Sequence, residues 1–194
     1  MAEPTAKYLI EQDLHRYGID RDFGFLCFFR QMFISCTPGV RFSIIFRLTQ
    51  HYRRRNRMLF YFFFLWLRRI KYKYGFDISY RTRIGKGLYI GHFGGIVIHG
   101  DAIIGENCNL SQGMTIGVLN RGSRIGVPVI GNRVFFGPNC VVLGKISIGD
   151  DVLIGANAVV TFDLEAKSVV ATPMAEVISN AGSGAYIQNS TRAR

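Results

Sequence analysis

Histidine, cysteine and tryptophan are scarce in this 194-residue chain, with four His, four Cys and one Trp. Cys27, Cys36, Cys108 and Cys140 show no CxxC spacing and no dense framework, which argues against a zinc ribbon or a disulfide scaffold. Small interior thiols are the expectation. Acidic residues are also few, 13 Asp and Glu against 24 Lys and Arg, for a formal charge of +11. The longest apolar run, residues 58–67, is half of the roughly 20 residues that a membrane crossing needs. The start, MAEPTAKYLIEQDLHR, carries acidic residues and no apolar h-region, so no secretory signal is read there. The expected location is the reducing cytoplasm, and the sequon at Asn189-Ser190-Thr191 is then coincidental. What the chain does not lack is apolar surface: 48% hydrophobic against 19% charged residues excludes a disordered polymer.

The shortage of acid is confined to one end. Residues 1–75 hold 14 Lys and Arg and 5 Asp and Glu, a net of +9, whereas residues 76–194 carry a net of +2. Eleven of the sixteen Phe precede Gly75, and eighteen of the twenty-two Gly follow it. Two differently built segments meet there. The division expected is a helical, basic and aromatic region over 1–75, a repeat domain over 76–178 and a polar tail over 179–194.

The first segment reads as helices over residues 5–16, over a stretch reaching Cys36, and from Val40 through Tyr74 after Pro38-Gly39. Within the last, the ten apolar residues 58–67 lie between Arg53-Arg54-Arg55-Asn56-Arg57 and Arg68-Arg69-Ile70-Lys71-Tyr72-Lys73. Such a helix is either buried against other helices or symmetry mates, or lies in a membrane interface with its cations on anionic headgroups. Peripheral contact through 53–73 at the inner face of the membrane therefore stays open. Nucleic acid is not an expected partner, because no basic face interleaved with exposed aromatics can be separated here from a core.

The second segment is periodic. Ile-Gly pairs open at 84, 90, 104, 116, 130, 148 and 154, and Phe136-Gly137 is a variant of them. The intervals 84–90, 104–116, 130–148 and 148–154 are multiples of six, and the two intervals of fourteen read as two hexads plus two residues. An aliphatic residue every sixth position points inward once per short strand, and a small residue follows where the chain turns a corner. That is the signature of a parallel β-helix. The polar, basic stretch 118–124 breaks the register and is expected to be a loop leaving the solenoid, where function tends to sit.

His92, in Ile90-Gly91-His92-Phe93-Gly94-Gly95, stands among glycines at a coil edge, displayed as a base near neutral pH would be. Residues 76 to about 178 resemble the serine acetyltransferase group of hexapeptide-repeat acyltransferases. The matching stretches are Phe76-Asp77-Ile78, Ile84-Gly85-Lys86-Gly87, His92 with Gly95-Ile96-Val97, Gln112 with Thr115-Ile116-Gly117, and Ile154-Gly155-Ala156-Asn157-Ala158-Val159-Val160. Before the repeat the match is weaker, resting on Pro38-Gly39 and Arg47. The resemblance implies an all-β left-handed parallel β-helix with an N-terminal α-helical segment, assembled as a homotrimer or a multiple of three with sites between neighbouring subunits. It implies acetyl-CoA as co-substrate and no metal. His92 would be the base, and Asp77, fifteen residues earlier, its orienting partner. The oxyanion donor would be Gly117 or Val118, and the pantetheine arm would run along Gly137-Pro138 and Gly155-Ala156.

The chain departs from the serine-specific pattern in two places. Gly91 stands where an acidic residue precedes the histidine, and Gly126-Val127-Pro128 where an Arg-His-Pro step grips the amino acid, with Arg124 close to the second. An ammonium and a carboxylate would lose their partners there. A saccharide hydroxyl, as in surface or capsular polysaccharide assembly, is therefore the expected acceptor, its ring lying on Tyr89 and Phe93. The alternatives are a serine O-acetyltransferase of cysteine biosynthesis and a non-catalytic solenoid used for assembly. A zinc-dependent hydratase on the same repeat would need three His ligands from adjacent coils, and His92 and His99 are too few.

Overall fold

The computed structural model describes residues 4–35, 37–176 and 179–180. Cys36, residues 177–178 and most of the tail expected at 179–194 lie outside the described residues. Four α-helices come first: α1 (Ala6–His15), α2 (Phe25–Phe29), α3 (Pro38–Tyr52) and α4 (Arg57–Tyr74), with a π-helical turn at Arg30–Ile34 continuing α2. Local chemistry sets their ends. The Thr5 hydroxyl accepts from the Tyr8 N–H at α1, Pro38 occupies the first turn of α3, and the Asn56 side chain accepts from the Leu59 N–H at α4. Gly75, at φ 70°, closes α4 in the left-handed conformation that glycine adopts at little cost.

Phe76 then opens a left-handed parallel β-helix of about five coils with three faces. Face one stacks β1 (Phe76–Ile78), β4 (Ile96–Ile98), β7 (Thr115–Gly117), β10 (Val141–Leu143) and β13 (Val159–Val160). Face two stacks β2 (Arg83–Ile84), β5 (Ile103–Ile104), β8 (Val129–Ile130) and β11 (Ser147–Ile148). Face three stacks β3 (Tyr89–Ile90), β6 (Asn109–Leu110), β9 (Phe135–Phe136), β12 (Leu153–Ile154) and β14 (Val169–Val170). Every pairing is parallel, and the hexad residues lie in ladders: Ile84, Ile104, Ile130 and Ile148 on face two, and Ile90, Leu110, Phe136 and Ile154 on face three. These side chains are buried, so each coil completes the core of the next.

Two coils are longer than three hexads. Val97 faces Thr115 and Val141 faces Val159, eighteen residues on, but Phe76 faces Ile96, twenty on, and Thr115 faces Val141, twenty-six on. The two extra residues fall in the corner at 91–95 that carries His92. The eight others form the excursion at 118–128, so the interval 116–130 is one hexad plus an inserted loop rather than two hexads plus two.

The helices are fastened to the first coil by a buried ion pair. Arg47 donates from Nε to Asp13 Oδ2 at 2.8 Å and from its terminal nitrogens to the carbonyls of Ile84 at 2.7 Å and Gly85 at 2.6 Å. Asp13 also accepts from the Leu88 N–H at 2.8 Å and the Ser43 hydroxyl at 2.5 Å. Both charges are almost wholly enclosed, and the added hydrogen bonds offset their desolvation.

Candidate active site

The His92 corner is built on the end of α4. The Gly94 N–H donates to the Tyr74 carbonyl at 2.9 Å and the Ile96 N–H to that of Gly75 at 3.0 Å, so residues 91–95 lie across the α4–β1 junction. On the other side the Gly113 N–H donates to the Gly94 carbonyl at 2.9 Å. Gly75, Gly95 and Gly113 all have positive φ, and a Cβ on Gly113 would meet Asn139 Oδ1 at 1.9 Å. Side chains are excluded from this column by backbone geometry and by the next coil, and His92 projects from it, exposed. Ahead of the corner, the Tyr17 hydroxyl donates to the Ile90 carbonyl at 3.3 Å and accepts from the Ile90 N–H at 2.8 Å. Burial holds that phenol well above its ordinary pKa, so it stays neutral. A Cβ on Gly39 would come within 2.4 Å of the same oxygens, which accounts for the glycine of Pro38-Gly39.

Asp77 lies on β1, two residues past that junction, on the outward row of face one where it faces Val97. The fold thus brings Asp77 and His92 to one corner, but no hydrogen bond joins them among the described residues. The Asp77 carboxylate is instead ion-paired with Lys71 of α4, Nζ to Oδ1 at 3.0 Å. Between α4 and the first coil runs a cleft of about 630 Å³ lined by Arg68, Lys71, Tyr72, Asp77, Ser79 and Tyr80. Two cations, a carboxylate and a serine hydroxyl thus border one apolar-floored groove.

The candidate oxyanion donors sit at the end of β7. Val118 is half-buried and its N–H has no hydrogen-bond partner among the described residues. The loop beyond is closed by reciprocal hydrogen bonds of 3.0 Å between Leu119 and Gly126 and folds back along the solenoid, with the Lys145 N–H donating to the Arg124 carbonyl at 2.9 Å. Arg124 pairs with Asp163 at 2.9 Å, holding that carboxyl below its usual range after the Ser147 N–H, the larger cause. Gly137 and Gly155 lie at corners after face three, and their smallness has a structural reason: a Cβ on Gly137 would meet the Ala156 nitrogen at 2.6 Å. Their N–H groups donate to Ile154 and Val170 at 2.7 Å, so the coil edge leaves carbonyls and neighbouring groups, not these amides, for an incoming ligand.

Tyr89 is not a free platform. Its ring packs on Tyr17 at 4.7 Å with the Arg16 guanidinium 5.8 Å above it, whereas Phe93 remains exposed beside Tyr74. The sequence reading gave Gln112 no role. Its Oε1 is buried without a partner, on the coil that stacks over the His92 corner, and its match to the resembled group was the available signal. Among the described residues no group of three or more His, Cys, Asp or Glu could hold a metal ion.

Within this three-faced β-helix, residues 128–161 match the family "Bacterial transferase hexapeptide (six repeats)". The chain is 36% identical over 143 residues to a serine acetyltransferase of Helicobacter pylori, covering 73% of this chain and 82% of that one. The chain belongs to the serine acetyltransferase family of acyltransferases that use acetyl-CoA. Its fold is shared with serine acetyltransferase isoform 3 of Entamoeba histolytica in complex with cysteine, at TM-score 0.71 and 26% identity, over 95% of this chain and 64% of that one. It is also shared with the Neisseria gonorrhoeae enzyme in complex with serine, at TM-score 0.67 and 26% identity, over 90% of this chain and 69% of that one.

Proposed function

We propose that this protein is a serine O-acetyltransferase working by direct transfer from acetyl-CoA. The observation that carries the reading is the similarity to the H. pylori enzyme across most of both chains. It supports serine over the saccharide expected from Gly91, Gly126 and Val127. The cleft beside Asp77 also favours it, because Arg68 and Lys71 offer cations to an acceptor carboxylate.

His92 takes the proton from the serine hydroxyl as that oxygen attacks the thioester carbonyl carbon. The carbon–sulfur bond then breaks, and the imidazolium returns the proton to the departing thiolate. Holding both substrates on one corner removes the need for an acyl-enzyme. Asp77 stabilises the imidazolium, which requires its carboxylate to turn from Lys71 toward His92 when substrate occupies the cleft. The Val118 N–H, without a partner among the described residues, suits the developing oxyanion, with the Gly117 amide as its neighbour. The coil edges at Gly137-Pro138 and Gly155-Ala156 flank the pantetheine arm.

The assembly is a homotrimer or a multiple of three with each site completed by a neighbour. Apolar residues on the outer rows of the faces, among them Val97, Val159 and Val169, support this because a lone solenoid leaves them in water. The test is acetyl transfer from acetyl-CoA to L-serine and to a panel of free and lipid-linked sugars, followed by thiol release and mass. L-serine is expected to be acetylated; efficient acetylation of a saccharide with none of serine overturns the proposal.

A further inference from the structure

Helix α4 turns an apolar stripe toward solvent. Its buried side carries Leu67 and Ile70, which pack against the core. The opposite side, at helical spacing i, i+4, i+7 and i+11, carries Met58, Phe62, Leu65 and Arg69, all exposed, with Met58 84% and Leu65 59% accessible. The helix is thus apolar on its solvent side as well as on its core side. The stripe continues onto α2 and the π-helical turn through Trp66, whose ring meets Phe62 at 5.8 Å, Phe28 at 5.8 Å and Phe33 at 6.3 Å. Beyond Phe33 lie Phe29, Leu26 and Phe25, the last two 82% and 80% accessible. The whole forms one exposed apolar face larger than scattered surface residues would give.

The charge around this face has one sign. No acidic residue occurs between Asp22 and Asp77, a stretch with eleven Lys and Arg. Arg53, Arg54, Arg55 and Arg57 stand at the start of α4, and Arg68, Arg69 and Lys73 at its end, so cations flank the stripe on both sides. From the apolar centre and these cations, we infer that the face formed by α2 and α4 docks on an anionic phospholipid surface, its Phe, Leu and Met side chains entering the headgroup boundary. Trp66 and the tyrosines then stand at the depth that aromatic rings favour. A second copy of this chain meeting the face about a twofold axis fits it less well. An isologous contact would set the two basic clusters against one another with no carboxylate in the segment to pair them. No helix among the described residues is long and apolar enough to cross the bilayer, so the contact is interfacial.

The test is flotation of the full chain with vesicles of phosphatidylcholine alone and of phosphatidylcholine with phosphatidylglycerol. Binding is expected to the anionic vesicles only and to weaken as sodium chloride rises. The variant Arg54→Gln/Arg57→Gln/Arg69→Gln should lose about fivefold in partitioning for each charge removed. Phe62→Ser/Leu65→Ser should abolish flotation at low salt while circular dichroism and acetyl transfer in solution stay unchanged. Equal binding to both vesicle types, or none to either, overturns the inference. So does light scattering in which Phe62→Ser/Leu65→Ser splits an assembly of the wild-type protein without altering flotation, since the face would then be an interface between copies.

Discussion

His92 owes its position to neighbours that have no side chains. Glycines at 94 and 95 let the corner lie on the α4–β1 junction, and the imidazole is left in water. His92→Ala is therefore expected to cut turnover by at least about 100-fold, the lower range for losing a general base, with the assembly intact by light scattering. Near-normal turnover in the folded variant would remove it from the mechanism. The cysteines behave in the opposite way. Burial pushes the Cys108 thiol up to about 11 and the Cys140 thiol up to about 12, and alkylation needs the thiolate. At pH 8 both are expected to react with iodoacetamide at least about 100-fold more slowly in the native protein than in urea, from the thiolate fraction alone. Mass spectrometry of alkylated peptides reads this directly.

Among the elements, α1, α3 and the first coil depend on one ion pair. Asp13→Ala would leave the Arg47 guanidinium buried with only carbonyl partners, which costs about 3–5 kcal/mol. The expectation is a correspondingly lower urea midpoint, with the helices, not the solenoid, losing protection from hydrogen exchange first. Replacing the pair together, as Asp13→Leu/Arg47→Met, should recover much of the loss, because apolar packing substitutes for the ion pair without stranding a charge. No recovery in the double variant would mean that the hydrogen bonds to Ile84, Gly85 and Leu88 matter more than the charges. The excursion at 118–128 is a separate case. Its exposed Arg124–Asp163 pair is screened by water and adds little stability, and it ties the Arg124 guanidinium to Asp163.

At the scale of the molecule, the single chain leaves outward valines on its faces and exposes His92 at an edge. Light scattering is expected to give three times the chain mass of 21.9 kDa, or a multiple of that. An active monomer would show that one chain completes its own site. The location of the charge is equally a whole-molecule property: the +9 of residues 1–75 surrounds an apolar face, while the solenoid is close to neutral.

The β-helix was legible because its rule is local and repeated. Each inward Ile needs only its equivalent one coil away, so a six-residue spacing announces the ladders Ile84 to Ile148 and Ile90 to Ile154 without any long-range information. The roles expected of Asp77 and His92 came from resemblance alone. Three other features were decided only by the tertiary structure. Period alone could not divide the two intervals of fourteen between a two-residue bulge and an eight-residue loop, because both give the same register downstream. The pairing of Asp13 with Arg47, and of Asp77 with Lys71, joins residues whose closeness depends on how helices rest on the first coil. And residues 58–67, apolar throughout, carry no sequence mark of which side meets the core; contact with α3 and the first strand buries Leu67 and leaves Met58, Phe62 and Leu65 outside.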